Sequence, residues 1–199
     1  NRASIGLAFD GDGDRLIAVD EKGNDLTGDQ MLIICAYVLK KEGKLKNDLL
    51  VSTDMSNLGL RVACKQYGFK NHISNIGDRY VLADMLRLGA IIGGEDAGHM
   101  IFLEHHKTGD GIIAALQLIG AMLKEGKSLS ELAQLMKVFP QKLINIDVKT
   151  KPDISEIPGI MKVIRQVEDA LGEEGRVLVR YSGTQNMCRI MVEGPSHET

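Results

Sequence analysis

The chain has 199 residues, 44% of them hydrophobic but only 4% aromatic and none tryptophan, which suits one large or two small domains with aliphatic cores. A net charge of −3 leaves no electrostatic footprint for nucleic acid or an anionic membrane, and no apolar run approaches the ~20 residues of a membrane span. No secretory signal opens it, and Cys35, Cys64 and Cys188 are scattered without CxxC spacing, as expected of reduced, mostly buried thiols in a cytoplasmic protein.

In chain order, residues 4–9 and 15–20 read as strands on either side of Asp10-Gly11-Asp12-Gly13-Asp14-Arg15. Turn chemistry at 20–24 and Thr27-Gly28-Asp29 precede a helix over 30–39 that ends near Gly43. Leu49 to Thr53 is a short apolar run with a polar exit, hence a buried strand. Ser56 or Asn57 can cap a helix that runs to about Tyr67. A strand at 72–76, a helix from Gly77-Asp78-Arg79 to Gly89, and strands at 90–92 and 100–103 follow. Gly109-Asp110-Gly111 starts a helix over 112–124, whose apolar residues fit a 3.6 period, and Ser128 caps a short helix over 129–136.

This alternation predicts an α/β fold: a mixed, mostly parallel sheet layered with helices. The polar loops at 53–57, 76–80 and 94–99 each follow a strand, so they can converge on one cleft. The pattern changes after Phe139-Pro140. Strand-like runs at 143–148, 176–180 and 188–192 and an amphipathic helix over 160–171 predict a small α+β domain. The chain begins one step before a strand and stops soon after another, so both ends read as cuts in a longer polypeptide.

Three chemistries stand out. Asp10, Asp12 and Asp14 crowd three carboxylates into five residues, and repulsion on that scale calls for a cation. Oxygen-only ligation suits Mg²⁺, and Arg15 beside it suits a phosphate. A solvated acidic turn, a calcium loop and a phosphoaspartyl site are the alternatives. The calcium loop needs Gly where Arg15 stands and helices where these flanks read as strands. The phosphoaspartyl pattern usually has Thr or Val where Asp14 stands. Metal ligation by all three carboxylates accounts best for the run.

Second, Arg180-Tyr181-Ser182-Gly183-Thr184 offers a guanidinium, two hydroxyls and glycine-freed N–H groups, the equipment for a phosphate dianion, with Arg189 within reach. An ordinary hairpin with solvated arginines fits the spacing equally well. Third, Glu95 can accept sugar hydroxyls and His99 can act as acid or base near neutrality, although a histidine beside a strand is more often structural.

Taken together, four motifs in order resemble the α-D-phosphohexomutases: Asp10 to Arg15, Gly94-Glu95-Asp96-Ala97-Gly98-His99, Thr108-Gly109-Asp110-Gly111, and Arg180 to Thr184. Met55-Ser56-Asn57-Leu58-Gly59 and Ile76-Gly77-Asp78-Arg79-Tyr80-Val81 resemble the branch that acts on hexosamine phosphates. The resemblance divides the chain into residues 1–24 at the end of a metal-loop domain, 25–138 as a sugar-binding α/β domain and 139–199 as a truncated phosphate-binding α+β domain.

The resemblance also implies roles. Asp10, Asp12 and Asp14 would hold Mg²⁺, and Arg15 would stabilise the transferring phosphoryl group. Glu95 would bind the sugar, and His99 would serve proton transfer. Arg180, Ser182, Gly183, Thr184 and Arg189 would grip the phosphate that is not reacting. The implied partners are a phosphorylated hexosamine and N-terminal domains of the same polypeptide, and a homodimer is compatible. The family's phosphoserine stretch and the lysine after it do not occur in these residues, so the chain alone is expected to be inactive. Ala97 stands where the family usually has Ser, Tyr181 where it has Pro, and Gln185-Asn186 where it has Glu-Pro.

Overall fold

A computed structural model describes residues 3–172, 175–183 and 185–196. The chain divides into two compact units, Asn1–Lys137 and Val138–Thr199.

The first unit opens with an antiparallel sheet of β1 (Ile5–Phe9), β2 (Leu16–Asp20) and β3 (Asp25–Leu26), in which Phe9 pairs with Leu16 across the acidic loop. Helix α1 (Gly28–Lys41) starts in a capping box, with Thr27 and Gln30 each satisfying the other's backbone N–H. Then come β4 (Leu49–Thr53), α2 (Leu58–Gln66), β5 (Lys70–Ser74), α3 (Asp78–Leu88), β6 (Ile92–Gly94), β7 (Met100–Phe102), α4 (Gly111–Glu125) and a short α5 (Leu129–Leu132). The second sheet has the order β5-β4-β6-β7, with the first two pairings parallel and β7 antiparallel. The mostly parallel α/β layer is thus present.

The pleat of β4 sorts the core. Leu50, with Ile92, Met100 and Phe102, packs into the larger cluster with residues of α1, α2 and α4. Leu49 and Val51 point the other way, onto Val81 and Met85 of α3. Each fully buried Leu or Ile contributes roughly 1.5–3 kcal/mol of transfer free energy, and the four successive residues Leu32, Ile33, Ile34 and Cys35 of α1 are buried. That makes α1 the central helix of the unit. Among the described residues no helix is long and apolar enough to cross a membrane.

In the second unit β8 (Gln141–Asp147), β10 (Met187–Glu193) and β9 (Arg176–Tyr181) form an antiparallel sheet in that order. Helix α6 (Pro158–Leu171) lays Ile160, Val163, Ile164 and Val167 toward Val177, Val179 and Ile190. At one end of the sheet Glu193, fully buried, is held by Arg176 and Gln141.

Candidate active site

β4, β5 and β6 run parallel, so the loops after Thr53, Ser74 and Gly94 leave the sheet on the same side. Hydrogen bonds tie them together. The Gly77 N–H donates to Glu95 Oε1 at 3.0 Å, so the loop before α3 orients the carboxylate of the loop after β6. Gly77 has φ +121°, a region open to glycine, which lets its N–H turn toward Glu95. Gly28 N–H donates to the Asp96 carbonyl at 2.9 Å, and Asp29 N–H to Asp96 Oδ1 at 3.4 Å. The first turn of α1 therefore carries the 94–99 loop. A side chain at Gly28 would collide with the Glu95 and Asp96 carbonyls.

The acidic loop joins the same group. Leu16 N–H donates to the Gly98 carbonyl at 3.1 Å, and Arg15 and His99 form an isolated antiparallel bridge. Gly111 N–H, at the start of α4, donates to the Gly13 carbonyl at 2.9 Å. The structure thus gathers Asp10, Asp12, Asp14, Arg15, Glu95 and His99 on adjoining loops of one unit.

Within the acidic loop, Asp10 Oδ1 accepts the Gly13 N–H at 3.0 Å and the Arg15 N–H at 3.3 Å. Partial desolvation pushes the Asp10 carboxyl up. Its bonds to the Arg15 and Gly13 amides, the approach of Asp14 and the Arg15 charge outweigh that and leave it below its ordinary value. Arg15 Nε lies 3.8 Å from Asp10 Oδ2, and both side chains are open to solvent. His99 is buried, its Nε2 3.5 Å from Asp14 Oδ2 and its ring against Gly109. An imidazole so placed can pass a proton to or from a reacting group at the loop.

The three aspartates supply only hard oxygen donors, which fits a magnesium-sized dication. Asp10 and Asp14 approach as a side-chain pair, and two acids that close are relieved by a cation between them. Among the described residues no three acidic, thiol or imidazole groups are drawn together as a ready coordination shell. Asp10 is engaged by loop amides and Asp14 leans toward His99.

In the second unit Arg180 on β9 lies directly across from Arg189 on β10. Burial, and then the Arg189 charge, lower the Arg180 pKa. Ser182 is buried, its N–H bonded to the Met187 carbonyl and its Oγ accepting the Gln185 N–H at 3.2 Å. Arg189 Nη2 donates to Gln185 Oε1 at 3.3 Å, and its buried Nε has no hydrogen-bond partner among the described residues. Gly183 follows Ser182 in the turn, and Thr184 lies outside the described residues. Paired guanidiniums with an unused N–H beside a serine turn can take a doubly charged anion.

Two residues passed over in the sequence belong to these loops. Lys151 sits in the connector after β8, and its Nζ donates to the Ser182 carbonyl at 2.7 Å, adding a third cation. Its mixed-charge surroundings gave no signal. Asp29, placed only as a residue before a helix, is fully buried in the first turn of α1.

Both units match models of a single family: Phosphoglucomutase/phosphomannomutase, alpha/beta/alpha domain III, over residues 27–139, and Phosphoglucomutase/phosphomannomutase, C-terminal domain, over 143–199. The chain belongs to this phosphohexomutase family. Among individual relatives it is similar to the phosphoglucosamine mutase of Syntrophobacter fumaroxidans, 71% identical over 196 residues, 98% of this chain and 44% of that protein. The phosphoglucosamine mutase of Syntrophus aciditrophicus is 63% identical over the same shares. An Aspergillus fumigatus N-acetylphosphoglucosamine mutase, solved in complex with GlcNAc-6P and magnesium, superposes with a TM-score of 0.75 at 18% identity, over 96% of this chain and 45% of that one. The chain spans less than half the length of these relatives.

Proposed function

We propose that the chain is the C-terminal part of a phosphohexosamine mutase that interconverts glucosamine 6-phosphate and glucosamine 1-phosphate. The phosphoryl group is exchanged with a phosphoserine outside residues 1–199, through a bisphosphorylated sugar that reorients before giving back its other phosphate. Such an activity serves amino-sugar nucleotide and cell-wall precursor synthesis. The observation that carries the reading is the meeting of the acidic loop with the Glu95–His99 loop through the Leu16–Gly98 and Arg15–His99 contacts. Similarity to phosphoglucosamine mutases supports the amino sugar.

Each residue has a role on this reading. Asp10, Asp12 and Asp14 hold Mg²⁺, which when bound draws charge from the phosphoryl oxygens. Arg15 stabilises charge on the transferring group. Glu95, fixed by Gly77, accepts hydrogen bonds from sugar hydroxyls. His99 holds or releases a proton at Nε2, facing Asp14. Arg180, Ser182, Gly183, Thr184 and Arg189 hold the phosphate that stays on the sugar, and Lys151 adds positive charge to their turn.

The experiment is a substrate panel on the polypeptide at its relatives' full length, with glucosamine, glucose and mannose 6-phosphates. Preferred turnover of the glucosamine ester is expected. Preference for glucose or mannose would move the assignment to a phosphoglucomutase or phosphomannomutase. No turnover of any ester would leave a non-catalytic phosphosugar-binding module.

A further inference from the structure

Asp29 is a buried acid to which the proposed mechanism gives no task. It sits at the second position of α1 with none of its surface exposed. A carboxyl in such a place is costly unless its atoms are used. Asp29 Oδ2 accepts the Asn57 N–H at 2.5 Å. Asn57 is itself the cap of α2, its side chain accepting the Gly59 N–H, and it lies in the loop that follows β4. The backbone around Asp29 holds a second loop, with Gly28 N–H on the Asp96 carbonyl and Asp29 N–H on Asp96 Oδ1. One helical turn therefore grips the loop after β4 with a side chain and the loop after β6 with two amides. Gly28 lets the second loop lie this close, since a Cβ there would meet the Glu95 and Asp96 carbonyls.

We infer that Asp29 is the positioning residue of the sugar-recognition loop, its carboxyl fastening the Asn57 loop to the helical turn on which Asp96 rests, so that Glu95 and His99 are presented from a fixed base. This rests on the reading of Glu95 as a sugar ligand. Burial, and then the negative charge of Asp96, hold the Asp29 carboxyl well above the usual carboxylate range, against the bonds from Asn57 and Ser56. Asparagine is the near-isosteric replacement that keeps an acceptor oxygen for the Asn57 N–H. Asp29 meets no substrate atom, and its effect passes through the loops.

The test compares Asp29→Ala with Asp29→Asn in the full-length polypeptide, reading steady-state kinetics and amide hydrogen exchange. Asp29→Ala is expected to raise KM for glucosamine 1-phosphate about tenfold or more and to lower kcat as well, because a released loop misplaces both Glu95 and His99. Asp29→Asn is expected to restore KM to within about threefold of the parent, since it keeps the acceptor for Asn57. In Asp29→Ala the Asn57 and Gly98 amides should exchange at least about tenfold faster while the Val51 amide in β4 keeps its protection, the mark of local release. Unchanged KM and unchanged exchange would overturn the inference. So would faster exchange at Val51 to the same degree, which would make Asp29 a general stabilising residue. If the parent turns over no hexosamine phosphate but the exchange pattern appears, the clamp stands and the sugar reading falls.

Discussion

The His99 ring occupies the space that the missing side chain of Gly109 leaves open. Two separate motifs thus share one volume, one supplying an imidazole and the other its room. Gly109→Ala is expected to push the ring from its position beside Asp14. If His99 transfers a proton, turnover of the full-length enzyme should fall about 100-fold or more, the scale of a lost acid–base group. Kinetics of Gly109→Ala beside His99→Gln check this: the two should lose similar amounts, and the double variant little more than either.

Asp12 differs from Asp10 in a useful way. Asp10 accepts two loop amides, whereas Asp12 has no hydrogen bond or ion pair among the described residues. In the full-length polypeptide Asp12→Asn should therefore leave stability within about 0.5 kcal/mol, as for most surface changes, while abolishing Mg²⁺-dependent turnover. Metal titration of activity and thermal melts of the same preparation give the two readouts. Undiminished Mg²⁺-dependent turnover would remove Asp12 from the metal site.

The facing pair Arg180 and Arg189 predicts stabilisation by anions. Like charges across a strand pair are unfavourable until an anion lies between them. Inorganic phosphate should raise the melting temperature of the chain, and Arg180→Met should shrink that rise well below the parent's. An equal rise in both proteins would show that phosphate binds elsewhere.

Acid stability has a specific source in α3. Arg87 hydrogen-bonds Asp84, with further help from Ser74 and His72, and draws its pKa down from 3.8 to about 2. A depressed carboxylate contributes stability above its unfolded value that is lost as pH falls from about 4 toward 2. Arg87→Ala should shrink that loss, so denaturant midpoints of parent and variant should differ at neutral pH and converge toward pH 2. Asp29 has the opposite sign: its raised pKa gives a contribution present below 3.8 and lost as pH rises.

The buried thiols of Cys35 and Cys64 are pushed up to about 12, mainly by desolvation. Thiolate is the reactive form, so both should resist thiol reagents in the folded chain, leaving half-buried Cys188 as the site labelled first. Mass mapping of the modified residue under native conditions tests this.

Much of this was legible because the chemistry is local. Acidic residues spaced by glycine, alternating strands and capped helices announce themselves within a few residues, and the α/β order followed from them. Boundaries were less legible where partners decide them. β5 runs over Lys70–Ser74 rather than 72–76, because its register is set by parallel pairing with β4. β6 takes in Gly93 and Gly94, residues that weaken a strand by propensity. They suit it because a Cβ on Gly93 would meet Met85 and Val51, and one on Gly94 would meet the His99 carbonyl. The short helix expected over 129–136 is α-helical only to Leu132 and then tightens into a 3₁₀ turn at Ala133–Leu135. Asp29 and Lys151 stayed hidden for a different reason. Their partners Asn57, Asp96 and Ser182 lie 28, 67 and 31 residues away, beyond any local pattern.

The hydrogen bond from the Asn57 amide to Asp29 also bears on how such a loop can diverge. Ser56, Asn57 and Asp29 are all buried, and Asp96 Oδ1 accepts the Asp29 N–H. Drift at any one of them leaves an unmatched polar group on another. Substitutions at positions 29, 56, 57 and 96 should therefore be inherited as coupled sets.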